Sequence, residues 1–142
     1  NFTKYDIPSL NSTNTFSSPL GKGTDENGNT DAPRVNWVAP NDIANVAIEV
    51  LLRRDLDGAT LNITGPEENT LSAIDMSNLL SDALGKNISY EESALPEFRD
   101  YGKLWEFLRQ GGFDSHTDTY EQVTRKKGTQ FSTFIKELID AG

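Results

Sequence analysis

Apolar residues recur at helical spacing in four stretches and alternate with polar ones in three short runs between them. Val35-Asn36-Trp37-Val38 alternates as a short strand does, and Pro40-Asn41-Asp42 then supplies a helix start. Ile43, Val46, Ala47, Val50 and Leu51 follow at i, i+3, i+4, i+7 and i+8, one apolar stripe expected to face a core. Arg53 and Arg54 are placed in the last turn, where cations suit the helix dipole, before Gly58. Ala59 to Thr64 alternates as a second strand and stops at the turn pair Gly65-Pro66.

A second helix opens at Ser72 as N-cap, with Asp75 three residues on as a weak capping box and Leu71 against Met76 as a hydrophobic staple. Met76, Leu79, Leu80, Ala83 and Leu84 form its inner face, and Gly85 closes it. Asn87-Ile88-Ser89-Tyr90 reads as the third strand. Pro96 opens a helix reaching about Gln110, in which Phe98, Tyr101, Leu104, Trp105 and Leu108 share a face before Gly111-Gly112. A shorter helix is expected from about Thr119 to Lys127, and Thr129 caps a last one carrying Phe131, Phe134, Ile135, Leu138 and Ile139. The pattern predicts an α/β chain with few short strands and about five helices. Residues 1–33, rich in Asn, Ser, Thr, Gly and Pro, show no sustained period and read as a surface loop.

Charge narrows the partners. The chain of 142 residues carries 22 acidic and 13 basic side chains, for a net charge of -9. Nucleic acid and anionic membranes are bound by clustered Lys and Arg, so neither is expected. The one basic run, Arg125-Lys126-Lys127, suits a helix end. There is no cysteine, hence no disulfide framework, thiolate nucleophile or zinc finger, which fits a reducing compartment. No apolar run approaches membrane-helix length and no basic-then-apolar signal opens the chain, so a cytoplasmic location is expected. The start at Asn1 rather than Met leads to the expectation of an upstream segment.

Chemical motifs are few. The only Gly-x-Gly, Gly21-Lys22-Gly23, has Glu26 where a dinucleotide loop needs a third small residue, and no helix follows it. Asp25, Asn27, Asn29 and Asp31 place oxygen ligands at alternate positions, but Thr30 and Asn36 stand where a calcium loop needs glycine and an acid. His116 is the single histidine, which excludes a multi-histidine metal site. Its neighbourhood, Asp114 to Asp118, reads as a capping loop rather than a catalytic base. Sequons begin at Asn1, Asn11, Asn62 and Asn87, and in a chain this rich in Asn, Ser and Thr they are weak evidence for secretion. Neither a catalytic nor a metal-ligating residue is assigned.

The run from Trp37 to Leu84 resembles the distal half of NmrA-like, atypical short-chain dehydrogenase/reductase proteins. The resemblance rests on Asp42-Ile43-Ala44 opening a helix, Thr64-Gly65-Pro66-Glu67 after a strand, and Leu84-Gly85 ending the next helix. Asn1-Phe2 is similar to the end of that family's Phe-x-x-Asn-Phe segment. Thr124 to Phe131 is similar to its closing Gly-Arg-Lys-Pro-Thr-x-Phe, with Thr124 for Gly and Gly128 for Pro as departures.

The resemblance implies the C-terminal, substrate-side portion of a Rossmann-type protein, with residues 34–142 forming the substrate and lid portion. NADP or NAD would bind an N-terminal Rossmann half of the same protein and not this segment alone. The tyrosine with a lysine four residues later that short-chain reductases use is absent, since Ser9, Ala94, Trp105 and Thr124 follow the four tyrosines at that distance. Asn1 and Phe2 would approach the nicotinamide end, the helix from Pro96 to Gln110 would cover a small-molecule substrate, and Trp105 and Phe113 would wall its pocket. The implied activity is NAD(P)H-dependent reduction of a quinone or other small carbonyl- or enone-like compound. A non-catalytic NAD(P)-sensing module that binds a protein partner is the other reading. Without its other half, the strand at Ala59–Thr64 would present an unpaired edge, which leaves a homo-oligomer open.

Overall fold

A computed structural model describes residues 10, 12–23, 32–97 and 100–140. Among them lie five α-helices and four short strands, so the chain is α/β. The strands are β1 (Thr15–Ser18), β2 (Arg34–Asn36), β3 (Thr70–Ser72) and β4 (Ser89–Glu92). The helices are α1 (Pro40–Leu52), α2 (Ala73–Leu84), α3 (Tyr101–Arg109), α4 (Thr119–Thr124) and α5 (Phe131–Asp140). β1 and β4 pair in parallel with Thr15 opposite Ser89, and β2 and β3 pair antiparallel with Val35 opposite Leu71.

The stretch read as surface loop contains β1, and its Leu10, Phe16 and Leu20 are buried in the main core. Thr-Phe-Ser-Ser offers too little alternation to be seen. The strand forms because Ser89–Glu92 lies beside it and completes its ladder. β4 accordingly starts two residues later than the alternation from Asn87 indicated.

No strand forms over Ala59–Thr64, because no described strand lies alongside to complete a ladder. The alternation is still expressed in packing: Leu61 and Ile63 join Val46, Tyr120 and Val123 in a second, smaller core. Thr64 Oγ1 accepts the Thr117 N–H at 2.9 Å, and Thr117 Oγ1 donates to the Asn62 carbonyl at 2.8 Å. The main-chain groups of Leu61 and Ile63 make no hydrogen bond among the described residues.

Helix α2 follows its sequence signals. Ser72 Oγ accepts the Asp75 N–H at 3.1 Å, the Asp75 carboxylate accepts the Ser72 N–H at 2.9 Å, and Gly85 closes the helix in the left-handed region. Helix α3 is shorter than Pro96–Gln110, beginning at Tyr101, while Phe98 lies outside the described residues. The Pro96 carbonyl folds back over Gly102, where a Cβ would stand 2.9 Å from it, so the chain crosses the helix start instead of entering it. Helix α4 stops at Thr124 because Arg125 adopts φ 59°, which leaves Lys126 and Lys127 beyond it. Helix α5 begins at Phe131, since Thr129 gives its hydroxyl to Asp42 rather than to a cap.

The stripe on α1 behaves differently from expectation. Val46 is buried against α4, while Ile43 and Leu51 are exposed, as are Ile48 and Leu52. Leu51 and Leu52 are 85% and 77% exposed. Arg53 and Arg54 fall just past the helix, where Arg53 Nη1 donates to the Val123 carbonyl at 2.9 Å. Apolar residues therefore occupy two faces of α1, and only the one carrying Val46 and Val50 packs against the second core.

Candidate substrate-side site

Short polar side chains fix the turn that the sequence marks as Thr64-Gly65-Pro66-Glu67. Asn36, ending β2, accepts the Gly65 N–H at 2.7 Å and donates to the Pro66 carbonyl at 3.1 Å and to Thr70 Oγ1 at 3.0 Å. Asn69 donates to the carbonyls of Trp37 and Thr129 at 2.8 and 3.0 Å and accepts the Phe131 N–H at 2.7 Å. Asp42, buried in the first turn of α1, accepts the Thr129 N–H at 2.7 Å and the Thr129 hydroxyl at 2.9 Å. Glycine is required at 65, where any Cβ would collide with the Trp37 carbonyl. The result is a rigid junction of β2, α1, the 65–69 turn and the start of α5.

That junction positions Phe113, whose carbonyl accepts the Asn36 N–H at 2.9 Å. The Phe113 ring meets Phe107 edge-on, 5.3 Å apart at 86°, and the two are 52% and 48% exposed. Gly112 makes the arrangement possible, because a Cβ there would run into the Phe107 ring. The pair forms an aromatic shelf on the surface of α3 and its following turn. Trp105, one turn before Arg109, faces the other way and is 5% exposed within the main core. The structure thus separates Trp105 from Phe113 and joins Phe113 to Phe107, which the sequence reading did not single out. Asn1 and Phe2 lie outside the described residues.

At the ends of β1 and β4 lies an open surface hollow of about 500 Å³, lined among the described residues by Leu20, Gly21, Lys22, Gly23, Pro33, Glu92 and Arg109. Tyr90 braces its rim: the hydroxyl donates to the Ser18 carbonyl at 2.7 Å and accepts the Gly21 N–H at 3.0 Å. Burial holds the Tyr90 pKa above its ordinary 10.0. Arg109 donates from Nε to the Pro19 carbonyl at 2.7 Å and from Nη2 to Glu92 at 2.8 Å. The second Glu92 oxygen accepts the Lys22 N–H at 3.2 Å. Gly21-Lys22-Gly23 fails as a dinucleotide loop, and the residues of β1 do not announce its pairing with β4, so nothing in the sequence marks this site. Among the described residues no group of three or more His, Cys, Asp or Glu could hold a metal ion, and no helix is long and apolar enough to cross a membrane.

In fold, the chain is similar to about half of each of two solved Rossmann-type proteins. A nucleoside-diphosphate-sugar epimerase from Staphylococcus aureus superposes with a TM-score of 0.76 at 21% identity, over 94% of this chain and 47% of that one. The triphenylmethane reductase of Citrobacter sp., complexed with NADP(H), superposes with a TM-score of 0.73 at 16% identity, over 96% of this chain and 50% of its own. Prestalk A differentiation protein A of Dictyostelium discoideum is 27% identical over 117 residues, 72% of this chain. This chain spans 38% of that relative's length and about half that of the solved structures. No protein-family model matches.

Proposed function

We propose that the chain is the C-terminal, substrate-side portion of a cytoplasmic NAD(P)H-dependent oxidoreductase of NmrA-like type, acting on a quinone or another small carbonyl- or enone-like compound. The carrying observation is the likeness of fold to about half of a reductase complexed with NADP(H). An N-terminal Rossmann half of the same protein holds the dinucleotide in this reading, and the hydride chemistry is the cofactor's. The shelf of Phe107 and Phe113, with Trp105 supporting α3 from beneath, offers the flat apolar wall that such a substrate needs. Asn1 and Phe2 would lie toward the nicotinamide.

The exposed face of α1 and the ladderless segment 59–64 support the missing partner. Both carry what a second half would cover, apolar side chains on one and, on the other, main-chain groups of Leu61 and Ile63 with no hydrogen bond among the described residues. The test is NADPH oxidation by the full-length protein with a panel of quinones and enones. Turnover with at least one is expected, lowered by Phe113→Ala chiefly through KM. Tight NADPH binding with no turnover on any member would overturn the catalytic reading.

A further inference from the structure

In a chain of net charge -9, the hollow between β1, β4 and α3 is lined among the described residues by two cations, Lys22 and Arg109, and one carboxylate, Glu92. That carboxylate is already engaged, one oxygen by Arg109 at 2.8 Å and the other by the Lys22 N–H at 3.2 Å. The ammonium of Lys22 makes no ion pair or hydrogen bond among the described residues.

Arg109 is preorganised. Its Nε is held by the Pro19 carbonyl at 2.7 Å and its Nη2 by Glu92, so the guanidinium plane is fixed before any ligand arrives and its remaining N–H groups stay available. A planar, permanently charged donor fork held in place suits a carboxylate or phosphate, and little rotamer entropy is left to lose. The wall beside it is Gly21, at φ 91°, where a side chain is both strained and 3.5 Å from Arg109 Nε. Tyr90, locked between Ser18 and the Gly21 N–H, keeps that wall from moving. The hollow, about 500 Å³ and open to solvent, has room for a small anionic group at the surface.

We propose that this hollow is a subsite for an anionic group, a carboxylate or phosphate on a small ligand, held by Lys22 and the free edge of Arg109. The proposal does not rest on the reductase reading. The residues that would hold the anion lie in this chain, and binding needs no dinucleotide.

The test is a ¹H–¹⁵N NMR titration of the chain with inorganic phosphate in one arm and benzoate in the other. Saturable shifts confined to the amides of Gly21, Lys22 and Gly23 and to Arg109 Nε–H are expected. Saturation by phosphate alone assigns a phosphorylated ligand, by benzoate alone a carboxylate, and by both a general anion subsite. Lys22 is exposed, so Lys22→Gln should leave the rest of the spectrum intact while weakening binding about fivefold. Lys22→Glu should abolish binding and Lys22→Arg restore it. The proposal is overturned if neither anion gives saturable shifts at these groups, or if Lys22→Glu binds as the parent does.

Discussion

Asp42, Asn36 and Asn69 tie the 65–69 turn and the start of α5 to β2 and α1, and each does so by satisfying main-chain groups that would otherwise be stranded. Removing the Asp42 carboxylate leaves the Thr129 N–H and hydroxyl without acceptors, so Asp42→Ala should cost about 3 kcal/mol in urea unfolding. Asp42→Asn keeps one acceptor and can donate to the Thr129 hydroxyl, and should cost only about 1 kcal/mol. Equal losses from the two variants would show that charge, not hydrogen bonding, sets the role. Tyr90 gives a pH signature. Burial raises its pKa in the folded chain, so the neutral phenol is the favoured form. Its contribution is complete below the unfolded value near 10 and is lost as pH rises through the folded value. Above about pH 10 stability should fall in the parent more steeply than in Tyr90→Phe, as read from denaturation midpoints. Asp42 and Gly65 were legible as part of a sequence motif. Asn36 and Asn69 were not, because an asparagine beside a strand reads as an ordinary turn residue until its partners, some 60 positions away for Phe131 and Thr129, are known.

Legibility of the elements followed how local their causes are. Helix α2 was readable to its ends because cap, box and closing glycine are all written within a dozen residues. Ser72→Ala should therefore lower stability by about 1 kcal/mol, seen in thermal unfolding. No loss would mean that β3 and the core fix the entry without the cap. The strands were readable only where alternation met a partner. Val35 found Leu71 and formed β2–β3, whereas the better-patterned Ala59–Thr64 found none and stayed irregular. β4 was legible from Asn87 to Tyr90, displaced by two residues, whereas β1, with little pattern, forms because β4 completes its ladder. The apolar stripe of α1 was identified correctly as apolar, but periodicity does not say which body covers a face, and Val46 and Leu51 have different fates.

At the scale of the molecule, the chain is an α/β unit with two cores and two uncovered features, α1's outer face and segment 59–64. Left alone, such surfaces promote association. Sedimentation velocity should show the chain forming concentration-dependent oligomers, and Leu51→Glu with Leu52→Lys should shift it toward monomer without lowering its thermal midpoint. In a full-length protein the same pair of substitutions should instead destabilise, by up to about 4 kcal/mol for two lost apolar contacts. A monomeric parent chain, or a full-length protein indifferent to the change, would remove the case for a covering half. The parallel pairing of β1 with β4 has a different consequence. Thr15 meets Ser89 only after β2, α1, β3 and α2 have all been laid down between them, so this ladder is a long-range closure whose entropy is spent before any local contact rewards it. During synthesis Phe16 has no ladder partner until Ser89–Glu92 has left the ribosome, so the hollow at the strand ends depends on a contact about 70 residues apart in the chain.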